Sequence, residues 1–159
     1  MASARRSTLV GASPAATALN GVEIEIVEAR ELLAMDKSKG SKVNDTSDPF
    51  AKAVLLDTPN GSADLPGEVY TTKVWKKTLH PEFHETFQMG TGLAKLTTLS
   101  TSSIEVRLYD EDKGMFARND ALGKVTIPLK AIAANKKLEL DAWYPLEIFD
   151  KMTEVGGPT

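Results

Sequence analysis

The sequence predicts an antiparallel β-sandwich, on three observations. Apolar and polar residues alternate with a period of two in several short segments. Stretches rich in Gly, Pro, Asn, Asp and Ser separate those segments. No segment carries the long 3.6-residue apolar stripe of an amphipathic helix. The first alternation is VEIEIVEA (22–29), where Val22, Ile24 and Ile26 oppose Glu23, Glu25, Val27 and Glu28. After a polar loop (35–49) comes FAKAVLLD (50–57), then a second loop (58–67) dense in Pro, Gly and Asn. EVYTTKVWKK (68–77) reads as a third strand and HETFQM as the start of a fourth, with TLHPEF turning between them. The segment 90–102 is ambiguous between a helical turn and a crossover. SIEVRLYD (103–110) alternates Ile104, Val106 and Leu108 with Glu105, Arg107 and Tyr109 and is a fifth strand. ALGKVTIPL (121–129) follows, with Pro128 as suits an edge. KAIAANKKLEL reads as a short helical connector and AWYPLEIF (142–149) as the last strand.

At 159 residues the chain is expected to form one domain with a real core. Its apolar content of 42% and charged content of 26% are those of a globular protein. No apolar run approaches the ~18 residues that a membrane span needs. There is no cysteine, hence no disulfide, no thiolate metal site and no cysteine nucleophile, which fits a reducing compartment. The net charge of -3 argues against nucleic acid as a partner, and any binding to anionic lipid must come from local charge. Residues 1–20 are rich in Ala, Ser and Thr, carry Arg5 and Arg6, and contain no acid. They read as a flexible tail, with an organelle-targeting segment as the alternative. STLVG (7–11) is a candidate extra strand, and Arg5-Arg6-Ser7-Thr8 resembles a basophilic kinase site. The domain is expected over 21–150, with a frayed tail at 151–159.

The chemistry lies in two acidic loops. In an antiparallel meander alternate loops share an end, so 35–49 and 110–120 become neighbours. The first carries Asp36, Asp45 and Asp48, the second Asp110, Glu111, Asp112 and Asp120. Gathered carboxylates repel one another and raise each other's pKa, unless a cation joins them. Hard oxygen donors suit Ca²⁺, whereas softer metals would want His or Cys. The competing reading is a pair of solvated Asp-rich turns. The D-x-D spacing at a strand end sends two carboxylates to one side. Between them and Asp120 stand Met115 and Phe116, flanked by Lys113 and Arg118. An EF-hand does not fit, because Ala121 stands at its twelfth position and no helices flank the loop. HPEFH (80–84) has a zinc-like spacing, but Pro81 opposes the helix that would align its histidines. Trp75 and Trp143 read as core or partly buried strand residues. No P-loop, G-x-S-x-G or other catalytic constellation is present, so an enzyme is not expected. The chain starts at Met1 and stops ten residues after the last expected strand, which argues against an accompanying catalytic domain.

Five pieces together resemble the C2 domain, the calcium- and phospholipid-binding module of protein kinase C and the synaptotagmins. They are ARELLAMD, SDPF, TKVWKKTLHPEFHETF, LYDEDKGMFARNDALG and WYPLE, spread over about 21–149. The resemblance implies an eight-stranded antiparallel Greek-key sandwich with calcium-binding loops at one end. It implies Ca²⁺ ligation by Asp36, Asp48, Asp110, Asp112 and Asp120, with main-chain oxygens from Met35 and Glu111. It matches Lys52 and Lys73 to a basic cluster on the second and third strands that meets phosphoinositide headgroups, with Lys76 as a further lipid contact and Lys77 beside it. The competing reading is a solvated strand face. Val54 and Thr71 stand where further lysines are often found, and Tyr109 replaces an aromatic partner. Lys113, Met115, Phe116 and Arg118 would meet the bilayer. Two departures stand out: inserted Lys37, Lys39 and Lys42 lengthen the first loop, and the second acidic loop is also longer, with Asp45 able to substitute in the first. The implied partner is an anionic membrane containing phosphatidylserine or phosphoinositide, joined by a cytoplasmic, peripheral protein when calcium rises. The alternative is an adaptor β-sandwich that binds a protein partner without a calcium switch.

Overall fold

The computed structural model describes residues 2–9, 21–35, 46–56, 64–89, 102–115, 117–134 and 139–148. Among the described residues, eight strands and one short helix follow in chain order. They are β1 (Ala2–Leu9), β2 (Val22–Ala29), β3 (Pro49–Leu56), β4 (Asp64–Thr71), β5 (Glu82–Met89), β6 (Ser103–Asp110), β7 (Asp120–Pro128), α1 (Leu129–Ala133) and β8 (Glu139–Tyr144). Two four-stranded sheets, β5-β2-β1-β8 and β4-β3-β6-β7, contain only antiparallel neighbours. The chain is an all-β sandwich.

The alternation explains the strands that match expectation. β2 covers 22–29 and β6 covers 103–110. Ile24, Ile104, Val106 and Leu108 enter the core with Ala51, Ala53 and Leu55 of β3 and Ile127 of β7. In β2 both Ile26 and Val27 are buried, where the register with β5 shifts between Ile26 and Glu28. Such a bulge breaks the strict period. β7 is an edge strand and ends at Pro128, where a missing N–H costs no ladder bond. Its register with β6 shifts at Gly123, whose φ of +145° suits glycine. The helical connector expected over 130–140 is helical as α1 over Leu129–Ala133, which buries Leu129 and Ile132, while Glu139 and Leu140 already belong to β8.

Three expectations need correction. The segment read as a flexible tail forms β1 over Ala2–Leu9, hydrogen-bonded to β2 on one side and β8 on the other. Arg5-Arg6-Ser7-Thr8 therefore lies inside a central strand, and the extra strand of the sandwich stands at the start of the chain. The third strand starts and ends earlier than 68–77. Beyond Thr71, the Thr72 hydroxyl accepts from the Ala51 N–H (2.9 Å) and donates to the Lys73 carbonyl (3.0 Å), and Lys77 has φ +54°. The last strand among the described residues is 139–144 rather than 142–149, and an isolated bridge, Glu147 to Lys124, follows it. The ambiguous stretch through 101 and the tail 151–159 lie outside the described residues.

Candidate functional site

Strands β2, β4 and β6 all end at one rim, and β3, β5 and β7 start there. The segments after β2, before β3, after β4 and after β6 therefore meet. Ser47, which sequence reasoning passed over, fastens the first of them. Its buried hydroxyl accepts from the Met35 N–H (3.0 Å) and donates to the Leu33 carbonyl (2.8 Å), and its carbonyl accepts from the Thr78 N–H (2.9 Å). The only hint in the sequence is a Ser just before Asp48-Pro49.

The two acidic segments are joined directly. The Asp48 N–H donates to Asp110 Oδ1 at 2.6 Å, and the Glu111 N–H donates to the Asp48 carbonyl at 2.9 Å. Asp110 is fully buried and faces Asp120 across the β6–β7 ladder. Asp112 is half-buried, and its N–H donates to Asn119 Oδ1 at 3.2 Å. Asp36 and Asp45 lie outside the described residues, as do Lys37, Lys39 and Lys42. Among the described residues, no three acidic or histidine side chains converge into a group able to hold a metal ion. This applies equally to HPEFH: the Nδ1 of His80 accepts from the Glu31 N–H at 3.2 Å, and His84 lies within β5.

Asp48 also holds a cation. Its Oδ1 accepts from the Lys77 N–H at 2.8 Å, and its Oδ2 lies 3.2 Å from Lys76 Nζ. The same ammonium is hydrogen-bonded to Glu111 Oε2. Burial acts to raise the Asp48 pKa. The Lys77 N–H, the Lys76 hydrogen bond and the charges of Lys76 and Lys113 outweigh it and hold the carboxyl below its usual value of 3.8. The hydrogen bond to Glu111, then that to Asp48, raise the Lys76 pKa against the opposing effect of burial. An ammonium stands here between two carboxylates, hard oxygen donors that match Ca²⁺ in kind.

The basic residues divide differently from the sequence expectation. Lys52 is on β3, and its ammonium sits 5.4 Å from the Tyr109 ring centroid, while Tyr109 stacks on Phe50 at 5.5 Å. Lys73, Lys76 and Lys77 are not on a strand but in the segment after β4. There the Lys73 N–H donates to Glu85 Oε1 at 2.8 Å. Trp75 belongs to the same segment. It is 41% exposed rather than a core strand residue, and its N–H donates to the Pro49 carbonyl at 2.9 Å. Met115 is 92% exposed, with exposed Lys113 and Arg118 on its loop. Phe116 lies outside the described residues.

A β-sandwich with two acidic segments fastened together at one end defines a class of protein by fold and loop arrangement. The comparisons make it specific: the C2 domain family matches residues 20–146, and the chain belongs to that family. Synaptotagmin-B of Diplobatis ommata is 31% identical over 132 residues, covering 83% of this chain and 26% of that protein. Synaptotagmin-2 of Mus musculus is 30% identical over 120 residues, covering 76% and 24%. The chain thus spans about a quarter of the length of these relatives. The RIM C2A domain from Drosophila superposes with a TM-score of 0.60 at 21% identity, covering 92% of this chain and 99% of that one. The calcium-bound C2A and C2B domains of extended synaptotagmin 2 give a TM-score of 0.53 at 22% identity, covering 72% and 36%. At such identities these structures establish the fold. No helix among the described residues is long and apolar enough to cross a membrane.

Proposed function

We propose that the chain is a calcium-dependent module that binds anionic phospholipid membranes through its acidic loop end. The observation that carries this reading is the direct fastening of the two acidic segments, Asp48 N–H to Asp110 Oδ1 and Glu111 N–H to the Asp48 carbonyl. Membership of a family whose synaptotagmin-type domains commonly bind Ca²⁺ and phospholipid supports it. Asp48, Asp110, Asp112 and Asp120 would hold the ion with Asp36, and the main-chain oxygens of Met35 and Glu111 would assist. Bound Ca²⁺ supplies charge neutralisation and a coordination position for lipid phosphate. The chain's own residues do the rest. Without a divalent ion, the carboxylates repel an anionic surface. Lys113 and Arg118 supply local positive charge, and Met115, joined by Phe116, presents apolar area to the interface. Burying such side chains contributes at most roughly 1.5–3 kcal/mol each. Neither therefore anchors the chain alone. Lys52 with Tyr109, and Lys73, offer a second contact for phosphoinositide headgroups.

Sedimentation with phosphatidylserine liposomes across a Ca²⁺ titration tests the proposal. Wild type should sediment only as Ca²⁺ rises, and Asp110→Asn/Asp112→Asn should stay in solution throughout. Calcium-independent behaviour of wild type, or an equal response of the double variant, would sink it. One observation favours a second reading: an ammonium already occupies Asp48 and Glu111, as a lysine of a protein partner would in an adaptor without a calcium switch.

A further inference from the structure

We propose that Lys76 is a resident counter-cation of the loop end, a side chain that must release Asp48 before a divalent ion can take its place, and so sets the Ca²⁺ threshold. The inference rests on the calcium reading above. Asp48 has both carboxylate oxygens committed: Oδ1 to the Lys77 N–H at 2.8 Å, Oδ2 to the Lys76 ammonium at 3.2 Å. The peptide donor fixes the carboxylate plane, so Oδ2 is the oxygen through which Asp48 could grip an ion. The ammonium and a dication cannot share it, since like charges a few ångströms apart repel strongly.

Lys76 suits a releasable role better than a structural one. Its side chain is 46% exposed, its four-carbon stem is flexible, and it reaches the loop end from outside instead of crossing the core. A half-exposed ion pair contributes little on its own, so the hold is weak enough to yield to a bound dication. Asp48 and Glu111 belong to the two acidic segments themselves. One ammonium thus tethers both walls of the loop end. Lys77 is the built-in control: it carries the same charge one residue away, yet meets Asp48 through its backbone N–H, which a side-chain substitution preserves.

Calorimetric titration of CaCl₂ into the EDTA-stripped full chain compares wild type, Lys76→Met and Lys77→Met. Lys76→Met should bind Ca²⁺ about three- to tenfold tighter than wild type, a gap that narrows in high salt as the ammonium is screened. Lys77→Met should change affinity less than about twofold. Unchanged or weaker binding by Lys76→Met, or equal tightening by Lys77→Met, overturns the proposal. Failure of the calcium reading is distinguishable: if wild type and Lys76→Met both give no heat, both ideas fall. If wild type alone gives none, Lys76 stands as the block.

Discussion

On the outer face of the β3–β6–β7 sheet, Glu105 is 4% exposed and surrounded by donors. Arg107 Nε lies 2.5 Å away, Lys124 Nζ 3.0 Å and the Thr126 hydroxyl 3.3 Å. At the loop end one ammonium serves both Asp48 and Glu111, with Asp110, Asp112 and Asp120 close by in sequence and ladder. Both places pair carboxylates with lysine, and in both the carboxyl is held below its usual value. For Glu105, burial acts to raise the pKa and the hydrogen bonds and charges of Arg107 and Lys124 overcome it. The difference is the balance. Two cations for one carboxylate complete a site that asks for nothing further. At the loop end Asp48 and Glu111 share one half-exposed ammonium, and both are oxygen donors of the kind a dication takes. Similar side chains thus serve as cement in one region and, in the proposed function, as a receptor in the other.

The largest expected effect breaks the cemented site. Glu105→Ala leaves Arg107 and Lys124 facing each other across β6 and β7. Removing one partner of a buried pair commonly costs 3–5 kcal/mol, and the partial exposure of both cations reduces this to about 2–3 kcal/mol in urea unfolding. Calcium affinity should stay within about twofold, because Glu105 lies roughly 17 Å along the strand from Asp110. The same balance gives a pH dependence. Glu105 and Asp48 have depressed folded pKa values, so their stabilisation is complete above 4.5 and 3.8 and is lost as pH falls below those values. Acid unfolding should therefore steepen below about pH 4.5, and Glu105→Gln should lose part of that slope.

The next effect loosens the receptor without touching a carboxylate. Ser47→Ala strips partners from the Met35 N–H and the Leu33 carbonyl. About 1–2 kcal/mol of stability should go, and Ca²⁺ affinity should fall with it, whereas Glu105→Ala separates those two quantities. The smallest change concerns the tip. Met115→Ser should leave urea stability within about 0.5 kcal/mol, because Met115 is 92% exposed. Liposome affinity at saturating Ca²⁺ should nevertheless drop several-fold, the equivalent of about 1 kcal/mol of lost apolar burial.

The two regions were not equally legible in the sequence. The alternations at 22–29 and 103–110 marked β2 and β6 to the residue, and the row that cages Glu105 follows from the register of β6 with β7. β1 was marked only at its end, by the candidate strand at 7–11, because the residues before it, ASARR, are small or polar. It becomes a strand through pairing with β2 and β8, which a local pattern does not carry. The run VYTTKVW keeps alternating past Thr71, and for that reason Trp75 and Lys76 read as strand residues. The ladder ends where the Thr72 side chain takes up backbone partners. The meander argument foresaw that the two acidic loops would meet. It gave no sign that Lys76 would reach them, since that contact joins residues remote in sequence through a loop whose path no local signal defines.

Thermal unfolding in EDTA and in excess Ca²⁺ tests most directly whether the loop end is the unbalanced site. At about a hundredfold the dissociation constant, ligand binding adds about 2.7 kcal/mol. For a domain of this size that raises the wild-type Tm by roughly 5–10 °C. Glu105→Ala should start lower and rise by a similar amount, while Asp110→Asn/Asp112→Asn should barely move. A wild type indifferent to Ca²⁺, or a double variant that rises as far as wild type, would contradict the account.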